Sequence, residues 1–219
     1  MQRVSTGVKG LDALVGGGLP EGDIILLSGV SGAGKTVFGL QFLLNSKEPG
    51  IFVSFEQEIP QLVLIAKHFG WPVEPLVEED RIRFLKYDPF KIEDILEVIE
   101  NNIREIGATR VVIDSVSSLG AYLRDPADIR RMILQISSVL RKNGCTALVV
   151  SEVSGDALSR YGVEEFLTDG VILLSNKFID GEYRRVLTIW KMRLTKHSRK
   201  LHAYDITDDG ISVSAHTYK

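Results

Sequence analysis

A glycine-rich loop between an apolar run and a helical segment constrains this chain more than any other feature. Residues 24–27 form a short apolar run typical of a buried strand, and residues 37–44 have the apolar content of a buried helix. Between them the chain fits the pattern G-x-x-x-x-G-K-[ST] at every fixed position. We call residues 29–36 the phosphate loop; its members are Gly29, Val30, Ser31, Gly32, Ala33, Gly34, Lys35 and Thr36.

The composition of the phosphate loop predicts its chemistry. Glycines let the backbone turn successive N–H groups toward phosphate oxygens, and the following helix N-terminus adds a partial positive charge. Lys35 can reach the β- and γ-phosphates, and the Thr36 hydroxyl can ligate Mg²⁺. An accidental Gly-Lys-Thr in a turn would lack the flanking strand and helix. The pattern therefore predicts a nucleoside triphosphate site with ATP and Mg²⁺ as its ligands.

Composition limits the class of protein. The chain has 219 residues, of which 44% are hydrophobic and 25% charged, so we expect one globular domain over residues 1–219. A net charge of −3 gives no general attraction to nucleic acid, so any such affinity requires a local basic patch. No apolar segment reaches 18 residues and no signal peptide opens the chain, so we expect a cytoplasmic protein with no membrane insertion.

Apolar runs and helical patterns alternate through the first 150 residues. Strands are predicted at residues 24–27, 51–55, 82–85, 111–113 and 147–150. Helices are predicted after the phosphate loop, from Pro60, over residues 92–106, and from Asp125-Pro126 to Asn143-Gly144. This alternation predicts an α/β fold whose sheet is mostly parallel and flanked by helices.

The alternation of strands and helices stops after residue 170, where predicted strands follow one another without helices. They are predicted at residues 171–174, 185–192, 201–206 and 211–214, with hairpin turns at Asp180-Gly181 and Asp209-Gly210. The C-terminal part should therefore add antiparallel hairpins to the sheet edge.

Carboxylates stand where predicted strands end. Asp114 follows an apolar strand, and a carboxylate there can hold Mg²⁺ opposite Thr36. Glu56 follows another strand, whose end should face the ligand crevice of a parallel sheet, and it could activate the attacking water. Glu58 and Glu152 are alternatives for that role.

Residues 190–197 alternate in character. On a strand, one face would carry Lys191, Arg193, Thr195 and His197, and the core face would carry Trp190, Met192 and Leu194. The polar face suits a polyphosphate. It equally suits a nucleic-acid backbone, with help from Lys196, Arg199 and Lys200, or a charged edge strand that only faces water.

Several of these motifs together resemble a KaiC domain of the RecA-like ATPase superfamily. The resemblance covers nearly the whole chain. It is carried by residues 5–22 with their glycines, Phe52-Val53-Ser54-Phe55-Glu56, Val111-Val112-Ile113-Asp114-Ser115, Glu164-Glu165-Phe166 with Asp169-Gly170-Val171, Lys191-Met192-Arg193 with Thr195-Lys196-His197, and Ile206-Thr207-Asp208 with Gly210-Ile211.

The resemblance implies a RecA-like P-loop fold and a hexameric ring, or a related assembly, with ATP between adjacent subunits. A neighbouring copy would contribute Lys191, Arg193, Thr195 and His197, together with Thr207 and Asp208. Lys191 or Arg193 would then act on the γ-phosphate as a finger supplied in trans. This favours a nucleotide role for the polar face of residues 190–197.

Two positions depart from the pattern of the family. Gln57 stands where the family usually has a second glutamate, and Leu194 replaces a glycine that is usual between the finger arginine and the threonine. If the missing carboxylate assists catalysis, turnover should be slow. The clock function of the two-domain KaiC protein does not carry over, because this chain holds one such domain.

Three hypotheses follow. The first is an Mg²⁺-dependent KaiC-like ATPase that assembles head to tail and whose nucleotide state controls a protein partner. The second is a DNA-binding ATPase related to recombinase paralogues, which would bind single-stranded DNA through the basic stretch 191–200. The third is an ATP-dependent switch or scaffold without turnover, for which Gln57 is the motive.

Overall fold

The computed structural model describes residues 1–87, 94–155 and 157–218. The strands are β1 Arg3–Val4, β2 Leu19–Pro20, β3 Ile24–Gly29, β4 Gly50–Ser54, β5 Ile82–Lys86, β6 Arg110–Asp114, β7 Thr146–Glu152, β8 Gly170–Ile179, β9 Glu182–Met192, β10 Leu201–Thr207 and β11 Gly210–Tyr218. The helices are α1 Leu11–Leu14, α2 Lys35–Leu44, α3 Ile59–His68, α4 Val73–Glu78, α5 Ile95–Ile106, α6 Pro126–Lys142 and α7 Glu164–Leu167, with a 3-10 helix at Val116–Ala121. None of these helices has the length and apolar character needed to cross a membrane.

The main sheet confirms the predicted fold class. Within the described residues its strand order is β11-β10-β9-β8-β3-β7-β6-β4-β5. Neighbouring strands from β8 to β5 pair in parallel, whereas β8, β9, β10 and β11 pair antiparallel through two hairpins. Because the parallel strands share one direction, β3, β4, β6 and β7 all end at the same edge of the sheet. That edge carries the phosphate loop.

Both faces of the sheet are covered, which is why its central strands are apolar throughout. One layer contains α2, and its buried side chains include Phe38 and Phe42 together with Ile25, Leu27 and Phe52 of the strands. The other layer contains α5 and α6, and its buried side chains include Ile99, Ile103, Ile129, Ile133 and Ile136 with Ile24, Ile51, Val111 and Ile113. The sheet is thus held rigidly beneath the loops that follow its strands.

Element boundaries agree with the sequence to within a few residues in most places. The helix predicted from Asp125-Pro126 is α6, and the Asp125 carboxylate caps it by accepting the Ala127 N–H at 2.8 Å. For the helix predicted over residues 92–106, α5 covers Ile95–Ile106, and the predicted start at Ile92 lies outside the described residues.

The predicted faces of residues 190–197 are wrong in part. Met192 is buried, but Trp190 and Leu194 are 59% and 85% exposed. The cause is a β-bulge: Lys191 pairs with Val171 and Ile189 pairs with Ile172, so Trp190 has no partner and the alternation is reset. The strand then ends at Met192, which leaves the rest of the segment outside any strand.

Candidate functional site

A pocket of about 390 Å³ lies where the phosphate loop meets the carboxyl ends of the parallel strands. It is lined by Ser31, Gly32, Gly34, Lys35, Thr36, Val37, Glu56, Gln57, Ile65, Asp114, Ser115, Glu152 and Ile206. The pocket therefore brings residues of the phosphate loop together with Glu56, Asp114 and Glu152.

Two glycines of the phosphate loop are required by close approach and backbone conformation. A Cβ at Gly29 would lie 2.7 Å from the Leu174 carbonyl oxygen of the adjacent strand. Gly34 has φ +86°, and a Cβ there would lie 2.8 Å from Ile206 Cδ1. Side chains at these positions would push the loop away from β8 or from β10, so the loop keeps its shape only with glycine.

Lys35 is the cation of the pocket and is largely buried. Its Nζ donates to the Val30 carbonyl oxygen at 3.0 Å and lies 3.9 Å from Glu152 Oε1. Burial lowers the pKa of Lys35, although the negative charges of Glu152, Asp114 and Glu56 oppose that shift. The ammonium is thus held over the loop, facing the space that phosphate oxygens would fill.

The two predicted metal ligands are in direct contact. Thr36 Oγ1 donates to Asp114 Oδ2 at 2.7 Å. Burial raises the pKa of Asp114 to about 6, and the hydrogen bond from Thr36 and the charge of Lys35 only partly offset it. A hydroxyl and a carboxylate side by side are the hard oxygen donors that Mg²⁺ prefers, so this pair fits the ion. Among the described residues no group of three or more His, Cys, Asp or Glu is placed to hold a metal alone, so the remaining ligands would be water and phosphate oxygens.

The three carboxylates that could act as the base lie in different places. Glu56 lines the pocket and accepts a hydrogen bond from Ser118 Oγ. Glu152 also lines the pocket, beside Lys35. Glu58 instead pairs with Lys86 at 3.4 Å and is not among the lining residues. Glu56 and Glu152 are therefore the acids placed to contact a water molecule beside the γ-phosphate.

Gln57 also lines the pocket. Its Oε1 is buried and has no hydrogen-bond partner within the described residues, as is also true of Ser115 Oγ, another lining atom. Polar atoms left in this state are satisfied by a ligand or by water. The side chain that replaces the second glutamate of the family thus still presents a polar atom to the site.

The C-terminal hairpin supports the phosphate loop of its own chain. Tyr204 is buried, and its hydroxyl donates to the Ala33 carbonyl oxygen at 2.7 Å. Ile206 approaches Gly34 and lines the pocket. Thr207 and Asp208 follow Ile206, but the Thr207 hydroxyl donates to the Gly210 carbonyl oxygen at 3.0 Å, and Thr207 lines a separate pocket with Gln41 and Asn45. Neither residue lines the pocket of the phosphate loop, so their contribution to the site of a neighbouring copy stays a prediction.

Lys191 and Arg193 lie at the opposite end of the sheet. Gly170 pairs with Ile25 on one side and with Met192 on the other, whereas Gly29 lies at the far end of the same β3 strand. At ~3.3 Å per residue, the four steps between Ile25 and Gly29 separate the two ends by about 13 Å before the phosphate loop begins. Arg193 lies one residue further away still, so neither cation serves the pocket of its own chain.

Both cations are fixed by groups at the start of β8. Lys191 Nζ donates to the backbone oxygens of Glu165 and Thr168 at 2.7 and 2.6 Å. Arg193 NH1 donates to Asp169 Oδ1 at 2.9 Å. Burial, and next the charge of Arg193, lower the pKa of Lys191. Both side chains are therefore held in place by contacts within their own chain.

Thr195 and His197 are held by contacts nearby. Thr195 Oγ1 accepts from Arg3 NH1 at 3.0 Å, and His197 Nδ1 donates to the Ser198 carbonyl oxygen at 2.9 Å. Like Arg193, they follow the end of β9 and are separate from the pocket of their own chain.

A family model described as an ATPase of the KaiC type matches residues 4–218. This chain belongs to the KaiC ATPase family. UPF0273 proteins are similar to it: one from Pyrococcus horikoshii is 41% identical over 97% of this chain and 94% of the relative, and one from Thermotoga maritima is 38% identical over 97% and 96%. The crystal structure of a KaiC-like protein from the hyperthermophilic archaeon Pyrococcus horikoshii OT3 superposes with a TM-score of 0.91 at 37% identity, covering 97% of this chain and 99% of that chain.

Several residues of this KaiC-family site were not singled out from the sequence. Tyr204 and Ile206 support the phosphate loop, Ser118 contacts Glu56, and Asp169 holds Arg193. Asp169 and Ile206 had a signal, since each belongs to a motif of the resemblance, but no role was attached to either. The other contacts join residues far apart in the chain and leave no local pattern.

Proposed function

We propose that this chain is an Mg²⁺-dependent ATPase that assembles head to tail. In this proposal one copy holds ATP in the pocket of the phosphate loop, and the next copy completes the site with Lys191 and Arg193. The observation that carries the proposal is that these two cations are ordered at the end of the sheet opposite the pocket. A cation fixed there can meet a phosphate only on another molecule.

The charge balance of the pocket supports this arrangement. Glu56, Asp114 and Glu152 line it, and Lys35 is the cation among the lining residues. ATP would add further negative charge. Mg²⁺ supplies part of the compensation when bound to Thr36 and Asp114, and cations from a neighbour would supply the rest at the γ-phosphate, where charge develops during hydrolysis.

Each residue of the completed site has a separate role in hydrolysis. Backbone N–H groups of the phosphate loop and Lys35 bind and orient the phosphates. Glu56 accepts a proton from the attacking water, and Ser118 fixes the direction of that carboxylate. Arg193 from the next copy stabilises charge on the γ-phosphate oxygens. Because the base and the finger come from different copies, assembly controls turnover.

Substitutions in the pocket test the ATPase assignment. Lys35→Ala should abolish ATP binding, measured by titration with a fluorescent ATP analogue. Glu56→Gln should keep binding and lower the turnover number at least a hundredfold, because the water loses its proton acceptor. Glu58→Gln is the matched control, since Glu58 pairs with Lys86 outside the pocket. Normal turnover by Glu56→Gln would move the base to Glu152.

Mixing two inactive variants tests the shared site. In a head-to-tail assembly, Lys35→Ala lacks a working pocket and Arg193→Ala lacks a working finger. Random mixing in equal amounts places an intact pocket against an intact finger at about a quarter of the interfaces. We therefore expect about a quarter of the wild-type rate per chain, whereas each variant alone stays inactive. No recovery in oligomers shown to be mixed would exclude a finger supplied in trans.

Ring size and partner belong to the same proposal. We propose a closed ring of six copies whose nucleotide state is read by another protein. The mass of the protein in solution, measured with and without ATP, tests the ring. Steady multiple turnover would exclude the alternative in which the chain is a switch that binds ATP without hydrolysing it.

A second candidate function is hydrolysis stimulated by single-stranded DNA. It rests on three exposed cations after β9, Lys196, Arg199 and Lys200, which form no ion pair within the described part of the chain. Lys191 contributes less than the sequence suggested, because its ammonium already donates to two backbone oxygens. Salt-dependent binding of single-stranded DNA that accelerates hydrolysis would support this function, and no binding at low salt would remove it.

A further inference from the structure

Four charged side chains form a cluster at the end of the sheet away from the pocket. Asp169 is at the centre: its Oδ1 accepts from Arg193 NH1 at 2.9 Å, and its Oδ2 accepts from Arg141 NH2 at 2.8 Å and from the Ile24 backbone N–H at 3.1 Å. Asp23 is the fourth member, and its carboxyl lies close enough for the charges of Asp169, Arg141 and Arg193 to act on it. We call these four residues the Asp169 cluster.

Asp169 holds Arg193 through two independent bonds. Besides the side-chain contact, the Arg193 backbone N–H donates to the Asp169 carbonyl oxygen at 3.0 Å. Asp169 is itself fixed, because its own N–H donates to the Ile24 carbonyl oxygen at 2.7 Å. The backbone and the guanidinium of Arg193 are therefore both connected, through Asp169, to Ile24. Ile24 is the first residue of β3, the strand that ends in the phosphate loop.

The contact orients the guanidinium and leaves most of it available. The Asp169 side chain is 12% exposed, whereas that of Arg193 is 55% exposed. Arg193 bonds to Asp169 through NH1, and within the described residues NH2 and Nε remain to donate to phosphate oxygens. An arginine held at one nitrogen can keep its anchor while it contacts an anion on another molecule.

Arg141 gives Asp169 a second cation. It projects from the last turn of α6 and bonds to the oxygen that Arg193 does not use. If Arg193 moves toward a phosphate, Asp169 keeps the charge of Arg141 and the Ile24 N–H, so its carboxylate is not left buried and uncompensated. The cluster therefore permits a small movement of Arg193 without a large loss of stability.

We propose that Asp169 is the positioning residue of the Arg193 finger: it sets the direction in which Arg193 is presented to the ATP of the neighbouring copy. This rests on the proposed function, because it assumes that Arg193 acts in trans. In addition, the turnover number of each ATP site would depend on Asp169 of the neighbouring copy, a carboxylate that does not contact ATP.

If Asp169 had only a structural role, its substitution would affect a different copy of the chain. Such a residue would only tie β3, α6 and β8 together, and its loss would damage the folding of its own chain and its own pocket. A positioning residue leaves that pocket intact and weakens the site of the next copy. The two roles are separated by asking which copy carries the defect.

Kinetics of Asp169→Asn give the first test. We expect the turnover number to fall about tenfold, because the finger is misdirected but present, with KM for ATP changed less than twofold, because ATP is bound by the phosphate loop of the other copy. Asp128→Asn is the matched control: it removes an exposed ion pair with Arg131 on the same α6 helix and should leave both constants unchanged. A rise in KM without a fall in turnover number would overturn the proposal.

Mixing Asp169→Asn with Lys35→Ala distinguishes a positioning role of Asp169 from a structural one. Asp169→Asn mixed with Lys35→Ala should regain activity in the same way as Arg193→Ala mixed with Lys35→Ala, to about a quarter of the wild-type rate above the residual activity. Recovery with Arg193→Ala but none with Asp169→Asn would overturn the positioning role and leave the shared site standing. Recovery with neither would contradict the shared site itself.

A second variant covers the case in which Asp169→Asn does not fold. Asp169→Glu keeps the charge but moves the carboxylate outward, so the protein should fold and the finger should be displaced. We expect a severalfold lower turnover number at unchanged KM for ATP. A wild-type turnover number for Asp169→Glu would overturn the proposal.

Discussion

Asp23 has a pKa that its burial and the charges around it shift together. Burial, and next the negative charge of Asp169, raise the pKa of Asp23 to about 6 from its ordinary value of 3.8. Arg141, Arg193 and Arg3 lower it, but by less. The Oδ2 atom of Asp23 is buried without a hydrogen-bond partner within the described residues. The folded protein therefore binds a proton at Asp23 more tightly than the unfolded chain does.

This linkage predicts a pH-dependent effect of Asp23→Asn. The wild-type side chain costs nothing while it is protonated in both states, below pH 3.8, and destabilises the fold as pH rises through about 6. The variant removes that charge, so its free energy of unfolding should exceed that of wild type by about 1 kcal/mol at pH 7, after allowance for partial exposure, and by little at pH 4. Urea denaturation at several pH values measures the difference. A difference that does not change with pH would contradict the assignment.

Leu194 shows how one residue can keep a conformation that its side chain disfavours. Its φ of +50° lies in the left-handed region, where side chains other than glycine cost about 1–2 kcal/mol. It occupies the position where the family usually has glycine, so the backbone shape typical of glycine is present without it. Its exposed side chain packs against little that would offset the strain.

The free energy of unfolding of Leu194 variants should therefore follow how well each side chain tolerates a positive φ. Leu194→Gly should raise the free energy of unfolding by roughly 0.5–1 kcal/mol, because relief of strain exceeds the extra flexibility of the unfolded chain. Leu194→Val should lower it by about 1 kcal/mol, because branched side chains fit the left-handed region worst. Denaturant unfolding of the three proteins gives the ranking, and equal stabilities would show that the turn is not strained.

At the scale of elements, the β10–β11 hairpin acts as a support for the phosphate loop. Tyr204→Phe removes the hydrogen bond to Ala33 and leaves a carbonyl oxygen of the loop without its partner. We expect the free energy of unfolding to fall by about 1 kcal/mol and the Kd for ATP to rise severalfold. Tyr183→Phe, at a side chain that is 76% exposed, is the control and should change neither. Unchanged ATP binding by Tyr204→Phe would mean that the loop holds its shape without the hairpin.

The elements also show what sequence can and cannot predict. The runs at 24–27, 111–113 and 147–150 were found because strands buried on both faces are apolar throughout, which is a local property. The faces of residues 190–197 were wrong because a bulge at Trp190 depends on the pairing of β9 with β8. Nothing in the segment itself marks where an extra residue enters the pairing.

The candidate site divides in the same way. The phosphate loop and Asp114 could be predicted, since each is defined by its own strand and neighbouring residues. Asp169 bonds to Arg193 and to Arg141, which are 24 and 28 positions away from it in the sequence. Tyr204 and Ala33, which are also in contact, are 171 positions apart. Such contacts depend on strand order, which the alternating pattern does not specify.

At the scale of the whole molecule, the two ends of the sheet carry complementary groups. The carboxyl ends of the parallel strands present Glu56, Asp114 and Glu152 around the phosphate loop. The other end presents Lys191 and Arg193, each already oriented. A chain with an acidic pocket at one end and fixed cations at the other is suited to contact copies of itself end to end, and each contact would complete one ATP site.

If one chain holds half of an ATPase site, hydrolysis must depend on assembly, and diluting the protein separates the copies. The rate of ATP hydrolysis per chain should be measured across a range of protein concentrations that spans dissociation, with the mass of the protein determined at each concentration. We predict that the rate per chain rises in proportion to the assembled fraction and is at least tenfold lower for the isolated chain, which lacks the finger of a neighbour. Full turnover by chains shown to be monomeric would contradict the account.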